Sequence, residues 1–280
     1  MSAASEARAL EQGEPGWYLY GIVAAGAARG RLDQWPAIDP RHGVVTLTEG
    51  ALAGVTSRVS LAEFDEAALP QRLGDAAWLE EKIRAHEQVL EGVLETTSVV
   101  PCRFCTVYRT EDDLRRFLSA HSESLVDALE RVTGRVELGV KAFVDRERFA
   151  SGSALQDESI RELSERVSGA EGGRAYMEGR RLEQLVTDEL LRFKDNVAAE
   201  LHERLRGMAV DGLQLPLQRP EVSGREEEML FNGAYLVEGR TAFERELATL
   251  AEQHRVDGVE VELTGPWPPY NFVPAGLGGT

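Results

Sequence analysis

The sequence predicts an α+β fold in two domains, and three observations lead there. The chain has 280 residues, which at roughly 150 residues per domain points to two. Arg135–Val144 and Gly258–Thr264 alternate apolar and polar residues with the period of a half-buried strand. Apolar stripes at helical spacing recur in both halves of the chain. The expected organisation is a disordered N-terminal segment (residues 1–16), an N-terminal α+β domain (17–133), a C-terminal domain (134–265) and an extended Pro/aromatic tail (266–280).

In the first domain, Trp17–Ala24 is apolar on both faces, as suits an inner strand covered on both sides. Gly26–Asp39 reads as a loop. Val44–Thr48 and Leu52–Val59 form a hairpin around Glu49-Gly50. Asp75 is placed to cap a helix carrying Leu79, Ile83, His86, Leu90 and Val93 on its inner face. Val99–Val107 returns to strand character. Thr110-Glu-Asp-Asp113 then opens one helix with Leu114, Leu118, His121, Leu125, Leu129 and Val132 on one face.

In the second domain, Asp145–Gly173 is polar and rich in Gly and Ser, with a weak helix at Leu155–Val167. It reads as the least ordered internal segment. Arg174–Met208 keeps a 3.6-residue rhythm so long that one helix must break near Gly179 or extend past the core. Leu213–Leu217 and Met229–Val237 are strands, Thr241-Ala-Phe-Glu244 fits a capping box, and Gly258–Thr264 closes the domain. The order β-α-β-β-α-β is a ferredoxin-like arrangement with an antiparallel sheet. Pro266, Pro268 and Pro269 bar an inner strand and favour polyproline II geometry. Trp267, Tyr270 and Phe272 ride on that stiff tail and call for docking on the body of the protein or on a partner. The expectation is that Trp267 is largely buried.

Composition excludes several function classes. Apolar content of 42% and a charged fraction of 28% are those of a soluble globular chain. A net charge of −17 argues against nucleic acid and against anionic membrane surfaces. No signal peptide and no membrane-length apolar run is present, which makes the cytoplasm the expected location.

Motifs for chemistry are sparse. Cys102-Arg-Phe-Cys105 has the CxxC spacing, but on a strand an offset of three points the thiols to opposite faces, and no second pair completes a zinc site. Arg103 in that run calls for a structural ion pair, with Glu87 or Glu91 as partner, or for a ligand. His86, His121 and His254 read as hydrogen-bonded core or rim residues. His202 is the one that a haem-binding α+β barrel could use as an axial ligand. There is no Walker motif and no nucleophile elbow. Glu111-Asp-Asp113 and Glu226-Glu-Glu228 read as solvated charge. Arg180-Arg181, exceptions in an acidic chain, are candidates for contacting an acidic partner, against the alternative of a solvated helix face.

Three stretches carry a resemblance. Thr264-Gly-Pro-Trp-Pro-Pro-Tyr-Asn-Phe-Val273 resembles the closing motif of the gas vesicle GvpF/GvpL family. Trp17-Tyr-Leu-Tyr-Gly-Ile-Val23 is similar to its first strand, and Val99-Val-Pro-Cys-Arg-Phe-Cys-Thr-Val-Tyr108 to its central Pro-x-Arg-Phe-Gly-Thr signature. Cys105 stands where that family usually has Gly. The resemblance implies an accessory protein of gas vesicle assembly, neither an enzyme nor a cofactor carrier, that binds the hydrophobic shell protein and other gas vesicle proteins. Arg180, Arg181, Trp267, Tyr270 and Phe272 are its candidate residues for partner binding or tail docking. The competing expectation is a ferredoxin-like ligand- or haem-binding enzyme or sensor.

Overall fold

The computed structural model describes residues 15–28, 32–64 and 66–274. The segment expected to be disordered falls outside them up to residue 14, while Pro15 and Gly16 already belong to the first strand. The chain forms two compact units. One runs to Val136 and takes back the chain from Trp267 onward; the other is Glu137–Pro266.

The first unit is built on β1 (Pro15–Ala24), which is buried on both faces. It is flanked by β3 (Leu52–Ser60), itself paired to β2 (Val45–Glu49), and by β4 (Val100–Pro101) and β5 (Val107–Tyr108). All these pairings are antiparallel. The register of β1 shifts between Leu19 and Gly21. That bulge re-phases the side chains, so Tyr18, Tyr20 and Val23 join one core while Trp17, Leu19 and Ile22 join the other.

Short helices α1 (Leu61–Phe64) and α2 (Leu69–Leu73) lead to α3 (Ala76–Leu94), which covers the Tyr18/Tyr20 face. The Asp75 carboxylate caps α3 by accepting from the N–H groups of Ala77 and Trp78. Gly92 on α3 allows close approach: a Cβ there would lie 2.0 Å from the Trp35 ring. The opposite face is covered by α4 (Glu111–Ala120) and α5 (Ser122–Val132). The sequence reads these as one helix. The chain instead turns at His121, with φ −108° and ψ 15°, which leaves His121 exposed, its Nδ1 3.0 Å from the Phe117 carbonyl. Thr110 and Asp113 form the expected reciprocal cap of α4.

The second unit has a four-stranded sheet in the order β7-β8-β6-β9, with β6 (Val136–Val144), β7 (Asp211–Gln214), β8 (Glu228–Val237) and β9 (Val259–Trp267). The two strictly alternating stretches are therefore neighbours in one sheet. Between β6 and β7 lie α6 (Arg146–Ser151), α7 (Glu158–Ser168) and α8 (Gly172–Gly207); α9 (Pro220–Ser223) precedes β8 and α10 (Arg240–Arg255) follows it.

The stretch expected to be least ordered is thus helical. Its missed signals are two aspartates: Asp145 accepts from the N–H groups of Glu147 and Arg148, and Asp157 from those of Ser159 and Ile160. The capping box expected at Thr241 does not form. Gly239 holds the cap position of α10, and Glu244 accepts from Arg240 instead.

Helix α8 is unbroken through Gly179 and has 36 residues, about 54 Å at 1.5 Å per residue. Its buried residues are Val186, Leu190, Val197, Leu201 and Leu205, so the first turns run beyond the core. Arg204 Nε donates to Glu246 at 2.6 Å, and His254 Nε2 lies 3.1 Å from Glu200, which ties α8 to α10. The acidic run before β8 is also engaged. Arg225 pairs with Glu227, Glu260 and Glu262 and stacks on Phe143, and Lys194 binds Glu228 at 3.0 Å.

Strand β9 continues through Pro266 to Trp267. This is allowed because β9 is an edge strand, where a missing N–H breaks no inner ladder. The tail then folds as a 3-10 turn at Tyr270–Phe272 rather than in the extended geometry its prolines favour. The turn is closed by Tyr270 N–H to Pro268 O at 2.8 Å and Phe272 N–H to Pro269 O at 3.1 Å.

Candidate functional site

The inner face of α3 buries the expected His86 and, beside it, a lysine that the expected stripe lacks. Trp78, Lys82, His86, Val89, Leu90, Gly92 and Val93 are buried, whereas Ile83 is 41% exposed. Over the first two turns the buried positions are Trp78 and Lys82 where Leu79 and Ile83 were expected, because Trp78 docks on Phe64 and donates its Nε1–H to Glu63 at 2.7 Å, while His86, Leu90 and Val93 are buried as expected. Burying Lys82 is tolerable because Nζ donates to the Ile38 carbonyl and to Glu81, both at 3.0 Å, with Glu63 at 3.9 Å.

One turn on, His86 is the centre of a connected polar chain. Tyr18 Oη lies 2.8 Å from His86 Nδ1, and His86 Nε2 lies 3.0 Å from Tyr270 Oη. Tyr270 donates to Glu87 Oε1 at 3.0 Å, and the Cys105 N–H donates to Tyr18 Oη at 3.0 Å. These bonds assign one set of proton positions. Tyr270 gives its proton to Glu87 and so accepts from His86 Nε2–H. His86 Nδ1 is then the acceptor for the Tyr18 hydroxyl. Burial depresses the His86 pKa to about 4, against a smaller opposing effect of the Cys102 backbone, so the ring is neutral near pH 7. Burial raises the Glu87 pKa, opposed by the bond from Tyr270. Tyr20 stacks on His86 at 5.8 Å, is bonded to Ser57 Oγ at 2.8 Å, and accepts from the Ile38 N–H.

The segment expected as a strand at Val99–Val107 is broken in its middle. Between the Gly21–Pro101 and Tyr18–Val107 pairs, five residues (Cys102–Thr106) face only two on β1 (Leu19 and Tyr20). The surplus loops out as Cys102–Thr106, closed by Thr106 N–H and Oγ1–H to the Arg103 carbonyl at 3.2 and 2.7 Å. Cys105 takes φ 65°, the one positive φ of a non-glycine among the described residues. Cys102 belongs to the core under α4 and α5, Cys105 packs against the core under α3, and both are free thiols. Burial pushes each thiol up to about 12. Arg103 is exposed on this loop and forms no ion pair with Glu87 or Glu91.

Tyr270 and Phe272 are brought into the first unit. Phe272 is 4% exposed, Pro268 and Pro269 are buried, and Tyr270 is anchored to Glu87 and His86. Tyr270 packs against the core under α3, and Val273 against the core on the opposite face of the sheet. The expected burial of Trp267 is not found. It is 40% exposed, because the chain turns inward one residue later, at the prolines.

Arg180 and Arg181 lie elsewhere, exposed on the part of α8 that precedes its buried residues. Two exposed apolar side chains precede them, Tyr176 at 67% and Met177 at 68%. Sequence reasoning did not single out Tyr18, and it offered Glu87 to Arg103 where the structure gives it to Tyr270. The usable signal was Tyr18-x-Tyr20, two phenols sharing one face of a wholly buried strand, each requiring a polar partner. His202 Nδ1 lies 3.1 Å from Tyr235 Oη, so one nitrogen of that ring is engaged. Among the described residues no cluster of His, Cys, Asp or Glu is placed to hold a metal ion, and no helix is long and apolar enough to cross a membrane.

Comparison with known proteins agrees with this architecture along nearly the whole chain. Residues 16–274 match the family model described as gas vesicle synthesis protein GvpL/GvpF. The chain is 35% identical over 226 residues to gas vesicle protein L of Streptomyces sp. strain CB03234, covering 81% of each sequence. It is 26% identical to gas vesicle protein L1 of Halobacterium salinarum, covering 98% of this chain and 95% of that one. The crystal structure of the gas vesicle protein GvpF from Anabaena sp. PCC7120 superposes with a TM-score of 0.65 at 18% identity, over 93% of this chain and 96% of that one, which shows a shared fold. The chain belongs to the GvpL/GvpF family of gas vesicle synthesis proteins, and its role lies in gas vesicle assembly.

Proposed function

We propose that this protein is a non-catalytic carrier in gas vesicle assembly, acting in the cytoplasm and on nascent vesicles, that binds the hydrophobic shell subunit and other gas vesicle proteins. The observation that carries the reading is the family match over residues 16–274. A strongly apolar subunit needs a soluble escort before it joins a wall, and a chain of net charge −17 supplies solubility. The N-terminal end of α8 offers the contact surface: Tyr176 and Met177 supply apolar area, and Arg180 and Arg181 supply donors for a carboxylate. Trp267, half-exposed beside the docked tail, is a second contact.

The second unit is read as ferredoxin-like, supported by its order of elements and by the strand order β7-β8-β6-β9.

The test is a deletion strain complemented with wild-type or Tyr176→Asp/Met177→Asp protein, together with binding of purified shell subunit. Wild type restores vesicles and binds at micromolar concentration; the double variant does neither. Normal vesicles in the deletion strain, or no binding by wild type, would sink the reading.

A further inference from the structure

The second unit leaves one edge of its sheet open. In the order β7-β8-β6-β9 the two outer strands are β7 and β9. The N–H groups of Val210 and Leu215 donate to the Leu236 and Asn232 carbonyls of β8, both at 2.8 Å, and the register between them pairs Leu213 with Ala234. Alternate residues of an antiparallel strand bond the same neighbour, so Leu213 and Leu215 face β8, while Gly212 and Gln214 turn their backbone groups to the outer edge. The Gly212 N–H is met by Asp211 Oδ1 at 2.8 Å. That leaves the Gly212 carbonyl and the N–H and C=O of Gln214 for an outside strand, and Gln214 is exposed.

The surroundings of this edge are apolar and almost without charge. Val210 is 49% exposed, Leu213 39% and Leu217 53%, and Met208 is exposed at the start of the segment. From Met208 to Gln218 the one charged side chain is Asp211, in a chain of which 28% is charged. Its Oδ1 lies 3.9 Å from Arg206. Other edges are guarded by charge or proline. On the far side of the same sheet, β9 sets Glu260 and Glu262 on Arg225 and runs into Pro266. In the first unit, the outer strand β2 has Arg115 Nη1 on its Thr48 carbonyl at 2.7 Å.

We propose that β7 is a docking edge, which adds an extended, uncharged apolar segment of a partner protein as a further strand of this sheet. That the shell subunit supplies the segment rests on the function proposed above. Main-chain bonds to Gly212 and Gln214 hold the added strand, and Leu213 and Leu217 receive its alternate side chains. Pro216, which has no N–H, ends the edge on one side and keeps the added strand short. The chemistry of the occupant follows from the edge. A charged side chain set against Leu213 or Leu217 loses hydration and gains no partner of opposite sign, and a chain of net charge −17 repels acidic segments. A second copy is a poor occupant for a specific reason. In every antiparallel register that matches the outward groups of Gly212 and Gln214 between two copies, Asp211 of one falls opposite Leu213, Leu215 or Leu217 of the other.

The experiment uses the full-length chain, with amide exchange read residue by residue by NMR. The probes are a short peptide alternating Val and Thr, blocked at both ends, and the same peptide with Glu in place of two Thr. In the free protein the Gln214 amide is expected to exchange fast, while those of Leu213 and Leu215 are protected by β8. The Val/Thr peptide is expected to slow Gln214 at least about ten-fold, and the Glu peptide to bind at least about ten-fold more weakly. Gln214→Pro removes an N–H that β8 does not use, and Leu213→Glu/Leu217→Glu puts charge on the flanks. Each should abolish peptide binding with wild-type circular dichroism retained. A Gln214 amide already protected in the free chain, one that the peptide leaves unprotected, or equal peptide binding by a folded variant overturns the proposal. Purified shell subunit is the second arm, expected to protect Gln214 as the peptide does. Shell binding that leaves Gln214 unprotected refutes the shell subunit as occupant of this edge and leaves the function proposed above intact. No shell binding, beside a peptide that protects Gln214, refutes that function and upholds the edge.

Discussion

His86 and Tyr270 are 184 residues apart in sequence, and His86 Nε2 lies 3.0 Å from Tyr270 Oη. This contact joins the end of the chain to the first unit through a neutral histidine whose other nitrogen is already bonded to Tyr18. A phenol is required there, because the group must accept from the ring and donate to Glu87 in one place.

Tyr270→Phe keeps the ring and removes only the hydroxyl. Two partners, the His86 N–H and the Glu87 carboxylate, then lose their bond. The expected cost is about 1–3 kcal/mol, read as a lower urea midpoint at unchanged slope. A midpoint equal to wild type would show that the two bonds contribute nothing.

Acid should weaken the first unit through His86. Its folded pKa is depressed to about 4 from 6.5, so between these values the unfolded chain binds more protons than the folded one. Stability is fully present above pH 6.5 and falls as pH drops toward 4, by up to about 3 kcal/mol. Glu87 works in the opposite sense. Its folded pKa is raised, so it costs stability as pH rises through that pKa and partly offsets the histidine in acid. Thermal melts at pH 7, 5.5 and 4.5 check this. In His86→Phe the decline between pH 6.5 and 4 should be shallower.

Cys105→Gly should raise stability. A side chain at φ 65° carries a left-handed strain of roughly 1–2 kcal/mol, which glycine lacks. Glycine's greater unfolded-state entropy, about 0.5–1 kcal/mol, takes back part of that gain. Cys105→Ala, which keeps the Cβ, should melt below Cys105→Gly. The reverse order would mean that the thiol's packing outweighs the backbone.

Both thiols should be free and slow. Cys102 is fully buried, and burial pushes both pKa values to about 12, so little thiolate exists at pH 8. In native protein an aromatic disulfide reagent should find Cys102 unreactive and Cys105 sluggish, and two thiols should appear in denaturant. Fewer than two after denaturation, or stoichiometric zinc by elemental analysis, would contradict this.

Local pattern alone carried much of the fold. Trp17–Ala24 was legible as a strand covered on both faces because no polar residue with charge interrupts it. Arg135–Val144 and Gly258–Thr264 were legible because strict alternation specifies one buried face. Thr264–Val273, Trp17–Val23 and Val99–Tyr108 carried the family. Where two patterns compete, the tertiary structure decided. The run at Val99–Val107 reads as strand, yet between its two paired ends β1 offers only two residues opposite five, and the surplus had to leave the ladder. The first two turns of the stripe on α3 were displaced because Trp78 and Lys82 find partners in Phe64, Glu63 and Ile38, all outside the helix. The inner half of the tail docks and Trp267 does not, because the seat is made by Tyr18, His86 and Glu87. Periodicity records which side of an element is apolar. It holds no record of which distant donor will meet which acceptor, and those meetings fixed the place of the tail.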